Sequence, residues 1–434
     1  MATALSRWDR PEEFSAARSR IALVGFGTVG SAVARLLHAR RDEHFLRVTH
    51  VCNRQVARKK VNWIGPETVW TESIHQVLAS DADIVVELMG GLEPAHELAC
   101  RALQAGKSVV TANKQLMAHF GSELLKLASE HGQYLGFGAC VAGGVPVLSG
   151  LESGLAGDRL VRIRGVLNGT CNYILTRIEQ GGVSFAEALA EAQQAGFAEA
   201  DPANDIDGQD AGAKLAILAR VGLKLDVAPE QVQCRSIRNV QSIDFEYAHD
   251  LGCTIRQVST ARLVARGAHL AVEPSLVPQE SPLAKVTGSQ NLVVSTGEFG
   301  GETTFGGHGA GGDPTAVAVV SDLLQAARGY GCATGELAGA DAVPGEIVAD
   351  EEWPVYLRFV VRDRPGIIAA LANALAGREI NLDAVLQKPG HDKSRLPFVI
   401  TLEPCRQSQL QSALAEIGEF DFLVEPPVTM PILK

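Results

Sequence analysis

No run of 18 apolar residues occurs in this 434-residue chain, so no membrane-spanning helix is expected. The opening stretch MATALSRWDRPEEFSAARSR is charged and has no apolar core segment, so no secretory signal is expected either. Eight cysteines are scattered from Cys52 to Cys405 without a CxxC pair. Neither a disulfide framework nor a zinc site is suggested, and a reducing cytoplasm fits best. Positive charge is in deficit, with a formal net charge of −11. Only a small basic cluster interrupts it, at Arg54, Arg58, Lys59 and Lys60, so no nucleic-acid partner is expected.

What is present is a chain too long for one ordinary hydrophobic core, with 46% hydrophobic and 21% charged residues. Two or three soluble globular domains are the expectation. The most informative stretch is GFAEADPANDIDGQDAGAK, Gly196 to Lys214, where five carboxylates precede an apolar helix. From Asp210 the chain reads DAGAKLAILARVGL, with Asp207 or Asp205 placed to cap the first turn. Asp210 and Lys214 fall one turn apart on one face, so the carboxylate can hold the ammonium. The rest of the helix is apolar nearly all round, which argues for burial and makes a lysine there costly unless paired. An acidic loop capping a helix, with Lys214 in an exposed pair, has the same spacing. The two readings differ in burial.

In chain order, IALVGFGTVGSAVARLLHARR runs from an apolar strand through Gly25-x-Gly27-x-x-Gly30 into a helix. Gly25 allows the tight turn, Gly27 lets backbone approach a pyrophosphate, and Gly30 lets helix and strand pack closely; Thr28 and Val29 complete the turn. The second strand ends at Asn53-Arg54, where an NAD-specific fold usually places an acid. The basic groups that follow favour a 2′-phosphate, hence NADP over NAD, although a solvated basic loop would read alike. ADIVVELMGG and KSVVTANK are further buried strands, and the second delivers Thr111, Asn113 and Lys114 at its carboxyl end, the edge where such sheets bind ligands. GFGACVAGGVP is a glycine-rich exit, and RIRGVLNGTCNYILT gives a strand, an Asn168-Gly169-Thr170 turn and a helix.

Residues 231–305 read as short alternating strands of an open sheet covered by helices. GGHGAGGDPTAVAVVSDLLQAA is a second glycine-rich loop feeding a helix; His308 there has only Asp313 near ligand spacing, so a metal role is not expected. ATGELAGADAVPGEIVADEE is small, acidic and aperiodic, the composition of a linker. The tail then reads β-α-β-β-α-β, ending in a strand over DFLVEPPV, which is the split ferredoxin-like order.

GFGTVG, VVELMGGLEPA with VVTANK, GVLNGTCNYILT, GFAEADPANDIDGQDAGAKLAIL and GHGAGGDPTA together resemble the homoserine dehydrogenase family, from about Ile21 to Ala327. The tail, with Asp363-Arg364-Pro365-Gly366 after its first strand, is similar to an ACT domain. The resemblance implies an α/β chain: an N-terminal tail over 1–20, a Rossmann dinucleotide-binding domain over 21–145, an α/β catalytic and dimerisation domain over 146–331, a linker over 332–352 and a ferredoxin-like ACT domain over 353–434. The helix over 312–330 would return to the Rossmann domain. The implied activity is NAD(P)-dependent interconversion of L-aspartate 4-semialdehyde and L-homoserine, in threonine and methionine biosynthesis.

By the same resemblance Lys214 is the proton donor, Asp210 the carboxylate beside it that also meets substrate, and Lys114 the lysine between nicotinamide and substrate. Gly196, Glu199 and Asp205 hold substrate. Gly25, Gly27, Thr28, Val29, Gly30, Arg54, Gly90, Lys114 and Gly309 line the cofactor, NADP or NAD. A monovalent cation, Na or K, would take backbone carbonyls from Gly138, Val141, Gly143 and Val145, but the family's usual glutamate at the first of these is Gly138 here. A homodimer or homotetramer with threonine as effector at the ACT domain is implied. Two rivals stand: another NAD(P)-linked dehydrogenase of a small amino-acid-like substrate, and an ACT-bearing amino-acid sensor without turnover.

Overall fold

The computed structural model describes residues 19–42, 45–329, 343–344 and 346–434. Residues 1–18 of the expected tail, and 332–342 and 345 of the expected linker, lie outside the described residues. Among the described residues no helix is long and apolar enough to cross a membrane.

The N-terminal strands lack alternation at the centre of their sheet, where both faces are covered as in a parallel sheet wrapped by helices, and are partly exposed toward one edge. They are β1 (Ser19–Val24), β2 (Leu46–Cys52), β3 (Val69–Thr71), β4 (Ile84–Glu87), β5 (Ser108–Thr111) and β6 (Leu135–Gly136). They form one parallel sheet in the order β3-β2-β1-β4-β5-β6. The chain reverses direction across the sheet between β1 and β4, so a crevice opens at their carboxyl ends. The helix Gly312–Ala327 packs against helix Thr28–Ala39, sharing a core in which Ala32, Val33 and Leu37 meet Ala316, Val319 and Leu323.

A second sheet has the order β13-β12-β7-β10-β11-β9, built from β7 (Leu160–Val166), β9 (Gln233–Cys234), β10 (Cys253–Val264), β11 (Gly267–Pro278), β12 (Gln290–Gly297) and β13 (Gly301–His308). Its strands are not all short: β10 and β11 are 12-residue strands joined as a hairpin. The sequence hides this because β10 is buried on both faces through Ala261, so its polar residues Gln257 and Ser259 break no alternation. The stretch read as a linker has partners at its described end. β8 (Leu225–Asp226) pairs with β14 (Val343–Pro344), and the Ala268 amide donates to the Glu346 carbonyl at 2.9 Å. Gly267 (φ 146°) is required there, since a Cβ would stand 1.9 Å from that carbonyl oxygen.

The tail folds as β15 (Glu352–Val361), helix Ile367–Ala376, β16 (Leu382–Leu386), β17 (Leu396–Arg406), helix Gln407–Ile417 and β18 (Val428–Pro431), in sheet order β16-β17-β15-β18. The last strand lies later than DFLVEPPV predicts. Leu423 makes only an isolated bridge to Val361, and the ladder with β15 begins at Val428, past the Pro426-Pro427 pair that cannot donate to it.

Candidate active site

Two helices aim their first turns at the same point. Helix Gln209–Leu223 is buried along nearly its whole length, with Leu215, Ala216, Leu218 and Ala219 fully enclosed. Helix Lys114–Glu130 follows β5 and is capped by Asn113, whose Oδ1 accepts from the Leu116 amide at 3.2 Å. Arg220 fixes one helix against the other. Its guanidinium is 5% exposed and donates to the carbonyls of Met117 at 2.7 Å and Ala118 at 3.2 Å, in a space left open by Gly121.

Their N-termini therefore bring Asp210, Lys214 and Lys114 together. Asp210 is 8% exposed; its Oδ2 lies 2.7 Å from Lys214 Nζ and its Oδ1 2.9 Å from Lys114 Nζ. The alternative of an exposed surface pair is thereby excluded. Burial alone would raise the Asp210 carboxyl, but the ammoniums of Lys214 and Lys114 overturn that and hold it well below the usual carboxylate range. Burial works to lower Lys114, and the Asp210 carboxylate, helped by Asp205, outweighs it and raises this lysine. Lys214 also donates to the Leu167 carbonyl at 2.7 Å, an oxygen shared with Asn291 Nδ2 at 2.8 Å.

Asn168 ties the acids together. Its Nδ2 donates to Asp205 Oδ1 at 2.6 Å and Asp210 Oδ2 at 2.9 Å, while its Oδ1 caps helix Gly169–Gly181 through the Cys171 amide at 2.8 Å. Asp205 is raised by burial and by the Asp210 charge, against the pull of Asn168. The capping role expected for Asp205 or Asp207 is not found. Gly208, at φ 90°, is the N-cap residue of helix Gln209–Leu223, and Asp207 turns instead to Ser236 at 2.7 Å and Arg238 at 3.1 Å. Only a glycine takes that left-handed turn without strain, and the turn directs both acids away from the helix amides.

The loop over residues 196–199 is tied to the turn that follows Asn168, where Thr170 Oγ1 donates to the Phe197 carbonyl at 2.6 Å. Gly196 and Glu199 sit on an exposed loop, where the Glu199 carbonyl accepts from Gln193 and its carboxylate holds no ion pair among the described residues.

At the crevice, Gly25 (φ 106°) leaves no room for a side chain, which would come within 2.4 Å of the Leu88 carbonyl oxygen, and a Cβ on Gly30 would stand 2.1 Å from the Gly25 oxygen. Gly27 alone of the three faces open space, at the uncapped N-terminus of helix Thr28–Ala39. That combination of free amides and no side chain suits a pyrophosphate. Thr28 and Val29 open this helix, and Arg54 is exposed just beyond β2. Gly90 (φ 75°) gives its amide to Glu87 Oε1 at 3.2 Å. Gly309 packs against both Asn291, whose side chain lies 2.1 Å from where a Cβ would be, and Gly143. His308 is exposed at the end of β13, paired in register with Gln290.

The glycine-rich exit turns through Ala142 (φ 56°) and Gly143 (φ 52°). The Gly138 amide donates to Asp322 Oδ2 at 2.8 Å, so an acid from another helix stands beside the position where one is missing. Of the carbonyls named for a cation, that of Val145 already accepts from the Val147 amide at 2.7 Å. Burial pushes the Asp322 carboxyl up to about 7, with the Gly138 amide opposing.

Sequence reasoning missed two residues that hold this arrangement. Glu87, fully buried, accepts from Thr111 Oγ1 at 2.6 Å and from the Met89 amide at 2.7 Å, tying the ends of β4 and β5. An acid closing an apolar strand before two glycines was a readable signal. Asn291, inside a strand, gave none.

The family model for homoserine dehydrogenase matches residues 146–324, that for the homoserine dehydrogenase NAD binding domain matches 25–137, and the ACT domain model matches 355–421. The homoserine dehydrogenase of Neisseria gonorrhoeae is 35% identical over 94% of this chain and 97% of its own, and that of Synechocystis is 36% identical over 96% and 99%. Among solved structures, a homoserine dehydrogenase from Thiobacillus denitrificans aligns with TM-score 0.89 at 32% identity, covering 96% of this chain and 98% of its own. A hyperthermophilic archaeal homoserine dehydrogenase in complex with NADPH aligns with TM-score 0.62 at 29% identity over 75% and 99%.

Proposed function

The chain belongs to the homoserine dehydrogenase family, and from that premise we propose that it reduces L-aspartate 4-semialdehyde to L-homoserine at the Lys114–Asp210–Lys214 cluster, with NADPH preferred over NADH. The observation that carries this is the buried carboxylate of Asp210 holding two ammoniums within 2.9 Å. A site without turnover has no need of charge so costly to bury.

Gly25, Gly27, Thr28, Val29, Gly30, Arg54, Gly90 and Gly309 would hold the dinucleotide, which supplies the hydride when bound. Lys214 gives a proton to the aldehyde oxygen as negative charge collects there. The proton it gives is that of the ammonium paired with the Asp210 carboxylate at 2.7 Å. Asp210 and the Leu167 carbonyl fix the direction of the Lys214 ammonium, leaving it room for one further acceptor. Lys114 adds positive charge at the border of cofactor and substrate. Asp205, Gly196 and the free carboxylate of Glu199 receive the amino-acid end of the substrate.

A monovalent cation, Na or K, is assigned to the carbonyls of Val141, Gly143 and Val145 beside Gly138, with Asp322 as the nearby acid. The ACT domain is read as the site of an amino-acid effector, threonine, which would make this a regulated step toward threonine and methionine in a cytoplasmic homodimer or homotetramer.

The test is NADPH oxidation with aspartate semialdehyde in the wild type and in Lys214→Ala, with NADH beside it. Turnover lost in the variant, with cofactor still bound, supports both reaction and donor. An NADPH preference that shrinks in Arg54→Ala supports the role of the basic turn. A wild type that binds cofactor but does not turn over would favour the sensor.

A further inference from the structure

We propose that His96, Cys100 and Glu123 form a binding site for one divalent transition ion of the zinc class, on the face of the dinucleotide domain formed by helices Ala95–Gln104 and Lys114–Glu130. His96 and Cys100 are one helical turn apart, so their side chains stand on one face. Glu123 reaches them from the neighbouring helix, about two and a half turns along from Lys114 or about 13.5 Å by helix rise.

The geometry is that of a ligand set. His96 Nε2 lies 3.4 Å from Cys100 Sγ and 3.2 Å from Glu123 Oε2, and Cys100 Sγ lies 3.9 Å from Glu123 Oε1. Tetrahedral zinc with ordinary Zn–N, Zn–O and Zn–S bonds places its ligand atoms about 3.3–3.6 Å apart; the two His96 spacings lie at this span, and the Cys100–Glu123 pair, which involves the other carboxylate oxygen, has a few tenths of an ångström to close. All three ligand atoms fall within 4.8 Å of one another, and among the described residues no other three His, Cys, Asp or Glu side chains converge so closely.

The imidazole is also oriented as a metal ligand would be. Its Nδ1 faces Glu93 Oε1 at 3.3 Å, and its ring stacks on Phe120 with centroids 4.0 Å apart and planes 18° apart. A proton held at Nδ1 by an outer carboxylate leaves the Nε2 lone pair for the ion. Glu97, the acid on helix Ala95–Gln104 itself, is turned away into a pair with Arg101 at 3.0 Å.

Imidazole, thiolate and carboxylate together select zinc-like ions over calcium or magnesium, which take oxygen ligands. On binding, the Cys100 thiol releases its proton to solvent, His96 binds as the neutral imidazole and Glu123 as the carboxylate. Water takes the fourth position, since Glu123 is exposed and the cluster opens to solvent. No familiar motif marks the site, because HELAC contains no CxxC or HxxxH pair and its third ligand is on another helix. The ion would tie together two helices, one of which presents Lys114.

The test uses tag-free, chelator-stripped full-length protein titrated with Co²⁺ and then Zn²⁺. Wild type should bind one Co²⁺ per chain with a near-ultraviolet thiolate-to-cobalt charge-transfer band, which Zn²⁺ displaces and Mg²⁺ does not. Cys100→Ser should abolish the band. Glu93→Gln, which touches only the outer partner, should weaken binding about 10–100-fold, and Glu123→Gln by at least as much. All three positions reach solvent, and unchanged circular dichroism would exclude misfolding as the cause. Absence of the band in the wild type, or wild-type affinity in Cys100→Ser or Glu123→Gln, overturns the site.

Discussion

Asp210 Oδ1 lies 2.9 Å from Lys114 Nζ, an ion pair between the first turns of two helices that belong to different layers of the molecule. The carboxylate that holds Lys214 from its own helix thus also sets the position of a lysine delivered by the dinucleotide sheet. Lys214 keeps a second anchor in the Leu167 carbonyl at 2.7 Å, whereas Asp210 is the one ion-pair partner of Lys114 among the described residues.

Asp210→Asn should therefore lower the turnover number for reduction by about 100-fold, the scale of a reacting group displaced by about 1 Å. It should also change the pH dependence. The Asp210 charge raises Lys114, so its loss lowers that lysine, and the alkaline limb of the rate profile moves to lower pH. Rate against pH in both directions checks this. A variant with reduced turnover but a wild-type profile would show that Asp210 only supports the fold.

Asn168 separates two effects that a single substitution confuses. Asn168→Ala removes both the helix cap, worth about 1 kcal/mol, and the bridge between Asp205 and Asp210. Asn168→Asp keeps a capping oxygen but places a third carboxylate against two others. The aspartate variant should be the more stable by denaturant midpoint at neutral pH if the cap dominates stability, yet the slower in kcat/KM. Equal activities would show that the bridge does not matter to the site.

Much of this was legible in the sequence because it is local. The Asp210–Lys214 spacing, the GFGTVG turn and the β-α-β-β-α-β order of the tail are periodicities and short motifs, and each is present, with only the last strand of the tail displaced toward the carboxyl end. The meeting of Lys114 with Asp210 is not local: it depends on Arg220 locking two helices whose contact no spacing encodes. The misplaced cap shows the same limit at short range, since Gly208 at φ 90° redirected acids that composition alone would put on the helix amides. The length of β10 was hidden by burial on both faces, which removes the alternation that marks a strand.

The C-terminal domain is bolted to helix Ser242–Asp250 by a buried ion pair, Arg358 Nε to Asp244 Oδ1 at 2.8 Å, with the two residues 1% and 0% exposed. Tyr356 donates to the same oxygen at 2.8 Å, and Arg358 also reaches Glu425 at 2.7 Å. Burial raises Asp244 and Arg358 opposes it. Arg358→Met leaves that acid uncompensated and should cost about 3–5 kcal/mol, most of it recovered when Asp244→Asn is added. Denaturant midpoints of both single variants and the double variant measure the coupling. A double variant no more stable than Arg358→Met would mean that packing, not charge, makes the joint.

His269 is buried between β11 and the start of the C-terminal domain. It is 5% exposed on β11, its Nδ1 faces the Val348 carbonyl at 3.4 Å, and its ring lies 5.7 Å from that of Trp353. Burial lowers it from 6.5 to about 4, with Val348 opposing and Arg262 and Arg235 adding to the fall. The folded protein thus binds this proton less readily than the unfolded chain. Stability from the neutral ring is fully present above about pH 6.5 and is lost as pH falls toward 4, amounting to roughly 3 kcal/mol at the end of that window. His269→Gln can still donate to Val348 but cannot titrate, so its denaturant midpoint should fall less steeply than the wild type's between these pH values. Parallel curves would place the acid sensitivity elsewhere, in the paired carboxylates rather than in this ring.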